Sequence, residues 1–209
     1  MTHVVFMGIQ GSGKGTQAGL VAERYGLLHI NVGDRFRWHI QNSTPLGLEA
    51  RRYVENGELV PDSVVFSIIE EEMKKADRGY ILDGFPRNRV QADYLLEHFT
   101  IDQAILFHLD DETAITRLEA RRACSVCKTD YNLVFRKPAQ DGICDKCGGA
   151  IVQRVDDRRE AIEKRLQEFH AQTDPVIDTF RDKGILVTIP AEQPIETIHQ
   201  KVVELLQLS

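Results

Sequence analysis

Residues 4–17 read VVFMGIQGSGKGTQ. Four apolar residues come first, short enough for a buried strand. A glycine-rich turn follows, and residues 14–25 then show the mixed spacing of a helix. Strand, glycine loop and helix in this order make a phosphate site: backbone N–H groups converge on the anion and the helix start adds its positive end. The common form of such a loop is G-x-x-x-x-G-K-[ST], whose last hydroxyl holds magnesium. Gly8, Gly13 and Lys14 fit. Gly15 stands where the hydroxyl belongs, and Thr16 comes one residue late. The stretch therefore predicts nucleotide phosphates bound by Gly11, Ser12, Gly13, Lys14, Gly15 and Thr16. It leaves open what orients the metal.

Outward from this stretch, short apolar runs alternate with helical ones. Strands are expected at residues 27–30, at the GYILD before Gly84, at 104–110 and in ILVTIP at 185–190. Helices are expected at 33–41, 46–56, 61–75, 89–98, 112–122, 158–181 and 195–206. This alternation predicts an α/β fold, a five-stranded parallel sheet with helices on both faces. The segment 123–155 breaks the pattern and holds all four cysteines.

The 209 residues suffice for one main core with inserts. The net charge of -6 argues against a nucleic-acid surface. Arg outnumbers Lys by 17 to 9, a bias that suits bidentate grip of anions. No apolar run is long enough to span a membrane and no secretory signal is visible, so a cytoplasmic protein is expected. There, cysteines serve as metal ligands or free thiols rather than disulfides. Cys124, Cys127, Cys144 and Cys147 form two C-x2-C pairs. That spacing predicts one tetrahedral ion with no open position, hence a structural Zn2+, with iron, cobalt or unligated thiols as alternatives.

A second motif, LDGFPRN at residues 82–88, ends an apolar strand on Asp83. Ligands of open α/β sheets bind at that edge, so Asp83 is expected to face the phosphates and the metal. Five of the seven histidines, His29, His98, His108, His170 and His199, show no ligand spacing and are read as scattered. Trp38 is expected to pack, and the Glu70–Glu72 run to form a solvated helix face.

GSGKGTQ, GDRFR, LDGFPR followed by QAD, RR before the cysteine segment, RVDD and RL, in this order, resemble the adenylate kinases, the nucleoside monophosphate kinase family, in their long-lid zinc-bearing bacterial form. The resemblance covers nearly the whole chain. It implies a core of residues 1–30, 61–119 and 158–209, a monophosphate-binding insert at 31–60 and a zinc-binding lid at 120–157. It implies a monomer that moves the terminal phosphoryl group of Mg·ATP to AMP, with Mg2+ held through phosphates and waters that Asp83 orients. Lys14, Arg87, Arg121, Arg154 and Arg165 would stabilise the transferring group, and Arg37 and Arg87 the acceptor phosphate. Arg117 would stack on the donor adenine, with Asp130, Tyr131 and Gln193 also at the donor. Val32, Glu58, Leu59, Val60, Gly84, Phe85, Pro86 and Gln91 would line the acceptor site. Asp156 and Asp157 would orient arginines.

Two departures from that family stand out. Val32 occupies the place of a threonine, which removes a polar contact to the acceptor base, and Asn31 beside it is a candidate substitute. Gln10 occupies the place of a proline. Gln91, which can donate to and accept from an adenine edge, is retained. The rival readings are a UMP/CMP kinase, a zinc-ribbon regulatory module that carries a nucleotide, and a catalytically dead binding protein.

Overall fold

The computed structural model of the chain describes residues 1–207. Strand β1 (Thr2–Met7) has Val4 to Met7 shut off from water, as a central strand covered on both faces requires. Its neighbours are β3 (Gly79–Asp83) and β4 (Gln103–His108); β2 (Leu28–Asn31) and β8 (Leu186–Pro190) complete the sheet. The order is β2-β3-β1-β4-β8 and every pairing is parallel. The five-stranded parallel sheet is as expected. The chain leaves β1 for β2 on one side and later crosses from β3 to β4 on the other. The carboxyl ends of β1, β3 and β4 thus frame a topological switch point, where such sheets bind ligands. Register sets the level of the side chains there: Asp83 lies opposite both Phe6 and Asn31.

Helix α1 (Lys14–Tyr25) starts at the loop, with Gly13 in a left-handed conformation at its N-cap. Helices α2 (Val32–Gln41) and α3 (Pro45–Glu55) form the insert, capped by Asn31 and Thr44 side chains, and α4 (Asp62–Met73) and α5 (Arg89–His98) return to the core. The second sheet is antiparallel and small: β5 (Arg121–Cys124) lies between β6 (Asp130–Asn132) and β7 (Ile151–Val152).

Four expectations need correction. The helix expected at 112–122 is α6 (Asp111–Glu119), and Arg121 and Arg122 belong to β5. Pairing with Asn132 and Tyr131 outweighs the helical propensity of the charged run. The helix expected at 158–181 is three pieces: α7 (Arg159–Glu168), a π-helical turn (Phe169–Thr173) and α8 (Asp174–Asp182). Glu72 is not solvated. It is 5% exposed and paired with Arg35 at 2.6 Å and Lys75 at 2.8 Å. Trp38 does not pack into the interior; it is 54% exposed. The last helix, α9 (Ile195–Leu206), lies against α1 as Gln17 Nε2 donates to the Ile195 carbonyl at 2.9 Å.

Candidate active site

The glycine loop fits closely against the sheet. A Cβ on Gly8 would stand 2.5 Å from the Phe107 carbonyl oxygen, and Gly8 has φ +137°, so no other residue can bring the loop this near to β4. The loop opens onto a cavity of about 810 Å³. Gly11, Ser12, Gly13, Lys14, Gly15 and Thr16 all line it. Ser12 is 1% exposed and its hydroxyl has no partner in the protein.

The missing hydroxyl has a geometric answer. A Cβ at Gly15 would lie 3.1 Å from Asp83 Oδ2. The Asp83 carboxylate occupies the room that a serine or threonine side chain would need. It is buried, accepting from Asn31 Nδ2 at 2.5 Å and pairing with His29 Nε2 at 3.2 Å. Burial pushes the Asp83 carboxyl up, but the hydrogen bond from His29, the Lys14 charge and Asn31 together outweigh it and hold it below the ordinary carboxylate range. His29 was read as scattered. The signal was present: His29 and Asn31 are two apart on a strand and so share a face, and a parallel neighbour ends on Asp83.

Lys14 donates to the Ile9 carbonyl at 3.1 Å. Burial, reinforced by Arg87, Arg165 and Arg121, pushes its amine down to about 8 against the pull of Asp83. Arg165 is pushed down to about 10, chiefly by burial, with Arg121 and Arg87 adding to it. Arg87 and Arg154 are also lowered, first by burial and then by nearby cations. These are the marks of cations gathered where an anion belongs. The cavity is lined by Lys14, Arg37, Arg87, Arg117, Arg121, Arg136, Arg154 and Arg165, against the acids Asp34, Asp83, Asp130, Glu192 and Glu196. The molecule as a whole is acidic, so the positive surplus is local.

Buried carboxylates aim these arginines. Asp157 accepts from Arg121 Nε at 2.7 Å and Nη2 at 2.5 Å, and from Arg165 at 3.2 Å. Asp156 pairs with Arg37 at 3.4 Å and Arg165 at 3.6 Å. Asp130, which is exposed, holds Arg154 at 2.5 Å. Arg117 donates to the carbonyls of Gly11 and Ala191 and sits 5.6 Å from the Phe135 ring centre. Gln193, Asp130 and Tyr131 line the same cavity, although the Tyr131 hydroxyl turns toward the cysteines.

A second cavity of about 70 Å³ adjoins the first. Val32, Glu58, Leu59, Val60, Gly84, Gln91, Arg37, Arg87 and Arg165 line it, whereas Phe85 and Pro86 line the larger one. The Gln91 amide is engaged: its Oε1 accepts from the Arg87 N–H and its Nε2 donates to Asp62, both at 2.7 Å. Asn31 is engaged too, accepting from the Asp34 N–H at 2.9 Å while donating to Asp83. The π-helical turn is a contributor that the sequence reading missed. Thr173 donates to the Arg87 carbonyl at 2.7 Å and so pins the loop that follows β3.

Around the small antiparallel sheet, the four cysteine Sγ atoms lie within 4.8 Å of one another, with Cys124–Cys147 at 3.4 Å and Cys127–Cys144 at 3.5 Å. A tetrahedron with ~2.3 Å metal–sulfur bonds has edges of about 3.8 Å, so the donor set fits one ion. The Thr129 hydroxyl and N–H draw the Cys127 thiol down to about 6, and the Tyr131 hydroxyl lowers Cys144.

Fold and site together define a P-loop kinase in which a donor phosphate cradle adjoins a second anion pocket. The family model for adenylate kinase matches residues 6–185. The chain is 46% identical to the adenylate kinase of Bacillus velezensis (strain DSM 23117 / BGSC 10A6 / LMG 26770 / FZB42) and 45% to that of Bacillus subtilis (strain 168), in each case over 98% of this chain and 97% of the relative. It is 38% identical to the adenylate kinase of Caldicellulosiruptor saccharolyticus (strain ATCC 43494 / DSM 8903 / Tp8T 6331), over 98% of each chain. The chain belongs to the adenylate kinase family.

Proposed function

We propose that this chain transfers the terminal phosphoryl group of Mg·ATP to AMP, reversibly, giving two ADP. An oxygen of the AMP phosphate forms the new bond to the γ-phosphorus. The bond from that phosphorus to the β-bridging oxygen breaks, leaving ADP at both sites. The observation behind this reading is the meeting of the two cavities at Arg37, Arg87 and Arg165. Phosphoryl transfer needs charge neutralised and two phosphates aligned, and little else from the protein.

Lys14, Arg121, Arg154 and Arg165 stabilise the transferring group, and Arg37 and Arg87 hold the acceptor phosphate. Arg117 lies against the donor base, with Phe135 beside it. Magnesium neutralises the donor phosphates when bound and keeps several waters. Asp83, in the space Gly15 leaves, would be the anion that orients those waters. Residues 31–60 act as the acceptor segment and 120–157 as a lid whose closure excludes water as a competing acceptor. The four cysteines hold a structural Zn2+, chemistry that suits the reducing cytoplasm. The donor and acceptor cavities are both lined by one chain, which supports action as a monomer. The test compares ATP consumption with AMP, UMP, CMP and GMP. AMP is expected to be the best acceptor; preference for UMP or CMP overturns the assignment.

A further inference from the structure

We propose that the carboxamide of Gln10 is a substrate-binding group that contacts the acceptor phosphate where the phosphoryl group changes hands. The inference rests on the functional reading above and names a contact within it. Six residues line both cavities: Gln10, Gly33, Arg37, Gly84, Arg87 and Arg165. The two glycines present no side chain. The boundary is thus made of three guanidiniums and one carboxamide. Among the described residues, Gln10 is also the one member of the glycine loop that reaches the acceptor cavity.

Its bonding state points the same way. The Gln10 Oε1 is buried and has no hydrogen-bond partner in the protein. Gln91, by contrast, is bonded on both of its ends. The buried Gln10 Oε1 is an acceptor and is left for a donor such as a water that the ligand brings, while the Nε2 end carries the donors that match a non-bridging phosphate oxygen, adding hydrogen bonds where the arginines add charge. The carboxamide is neutral, so it directs the acceptor oxygen without competing for it as another cation would.

The test uses the full chain with AMP alone by calorimetry, and KM for AMP and for ATP in turnover. Gln10→Leu keeps the volume and removes the amide. AMP affinity is expected to fall about tenfold, the worth of a hydrogen bond to a charged group. KM for ATP is expected to stay within about twofold, and adenosine, which lacks the phosphate, to bind both proteins alike. Unchanged AMP affinity overturns the proposal. So does an equal loss for ATP and AMP, which would place the effect in the loop's shape. Gln10→Ser repeats the comparison should leucine disturb the loop. A wild-type preference for another monophosphate would instead overturn the choice of AMP, and Gln10 would then be tested with that acceptor by the same criteria.

Discussion

Beneath the parallel sheet, Val4, Val5, Ile30, Ile81, Leu82, Ile105 and Phe107 are all at most 1% exposed, part of one continuous buried cluster. In the lid the separate buried cluster is three side chains, Cys124, Tyr131 and Cys144. Around it Val126, Val134 and Phe135 are open to water. Each fully buried aliphatic side chain stabilises by roughly 1.5–3 kcal/mol, while ordering each residue's backbone costs about 1–2 kcal/mol. The core offsets its ordering cost with apolar burial. The lid does not have enough of it, so its order depends on what the four thiols hold. One chain thus joins a body held by the hydrophobic effect to a small antiparallel sheet that gathers four thiols able to hold one ion, with Asp157 pairing Arg121 of that sheet with Arg165 of α7.

The sharpest break of this contrast lies where the core meets the cavity, at the half-buried Lys14. If that edge were simply optimised for packing, removing a side chain there would destabilise the fold. Lys14 is expected to do the opposite. Its folded amine sits near 8 against an ordinary 10.5, so the unfolded chain binds more protons between those values and stability rises with pH there. Below about 8 the cost of burying the charge is present in full. Lys14→Met is therefore expected to raise Tm at pH 7 and to abolish the added gain in stability above pH 8. It should also cost about 3–4 kcal/mol in kcat, the scale of a lost transition-state charge contact. A lower Tm with kcat intact would remove Lys14 from both roles.

The next test works on the lid. Stripping metal with a chelator, or Cys144→Ser, is expected to open the antiparallel sheet while the parallel sheet stays folded. Hydrogen exchange should quicken at Arg121–Cys124, Asp130–Asn132 and Ile151–Val152 and stay slow in Thr2–Met7 and Gly79–Asp83. Simultaneous exchange everywhere would mean that the two regions share one cooperative unit. Elemental analysis that finds no metal, with four free thiols, would count against coordination.

Asp83 comes third, since it is buried at the end of a core strand and its proposed role runs through magnesium and water. Asp83→Asn should require about 10–100-fold more magnesium for half-maximal rate, the usual cost of losing an outer-shell partner. AMP affinity should hold. Magnesium dependence equal to wild type would mean that the space beside Gly15 is filled by Asp83 for packing alone.

How far the sequence announces all this depends on the range of the interactions. The glycine loop, the C-x2-C pairs and LDGFPR are local words, and the structure puts them at a sheet edge and in a thiol cluster. The parallel sheet follows from alternation. What stays hidden is set by distant partners. Arg121 looks helical in its own neighbourhood and is a strand residue because Asn132 pairs with it. Glu72 looks solvated and is buried because Arg35 and Lys75 reach it. His29 has no motif around it and acquires a partner when β2 falls in register with Asp83.

The smallest expected effect concerns base choice. Val32 is 3% exposed and lines the acceptor cavity with Glu58, Leu59 and Val60. Its apolar side chain offers no hydrogen bond there. Asn31 does not stand in for the absent hydroxyl, since it lines the larger cavity and not this one, with one end of its amide capping α2 and the other holding Asp83. Gln91 has both ends occupied as well, yet keeps a second N–H and a second lone pair to offer. On the proposed function, the pocket would then select its base with one polar constraint fewer than with a hydroxyl at position 32. A wrong base is rejected because it leaves buried groups unpaired. Val32→Thr adds one such group and should widen the kcat/KM ratio of AMP over UMP and CMP by about 1 kcal/mol, or roughly fivefold, the net worth of one hydrogen bond. KM for ATP and the metal content should not move, because Val32 lines the small cavity alone and belongs neither to the larger cavity nor to the thiol cluster. An unchanged ratio would show that the Val32 wall does not meet the base, and the choice of acceptor would then rest with Gln91 and the shape of the cavity.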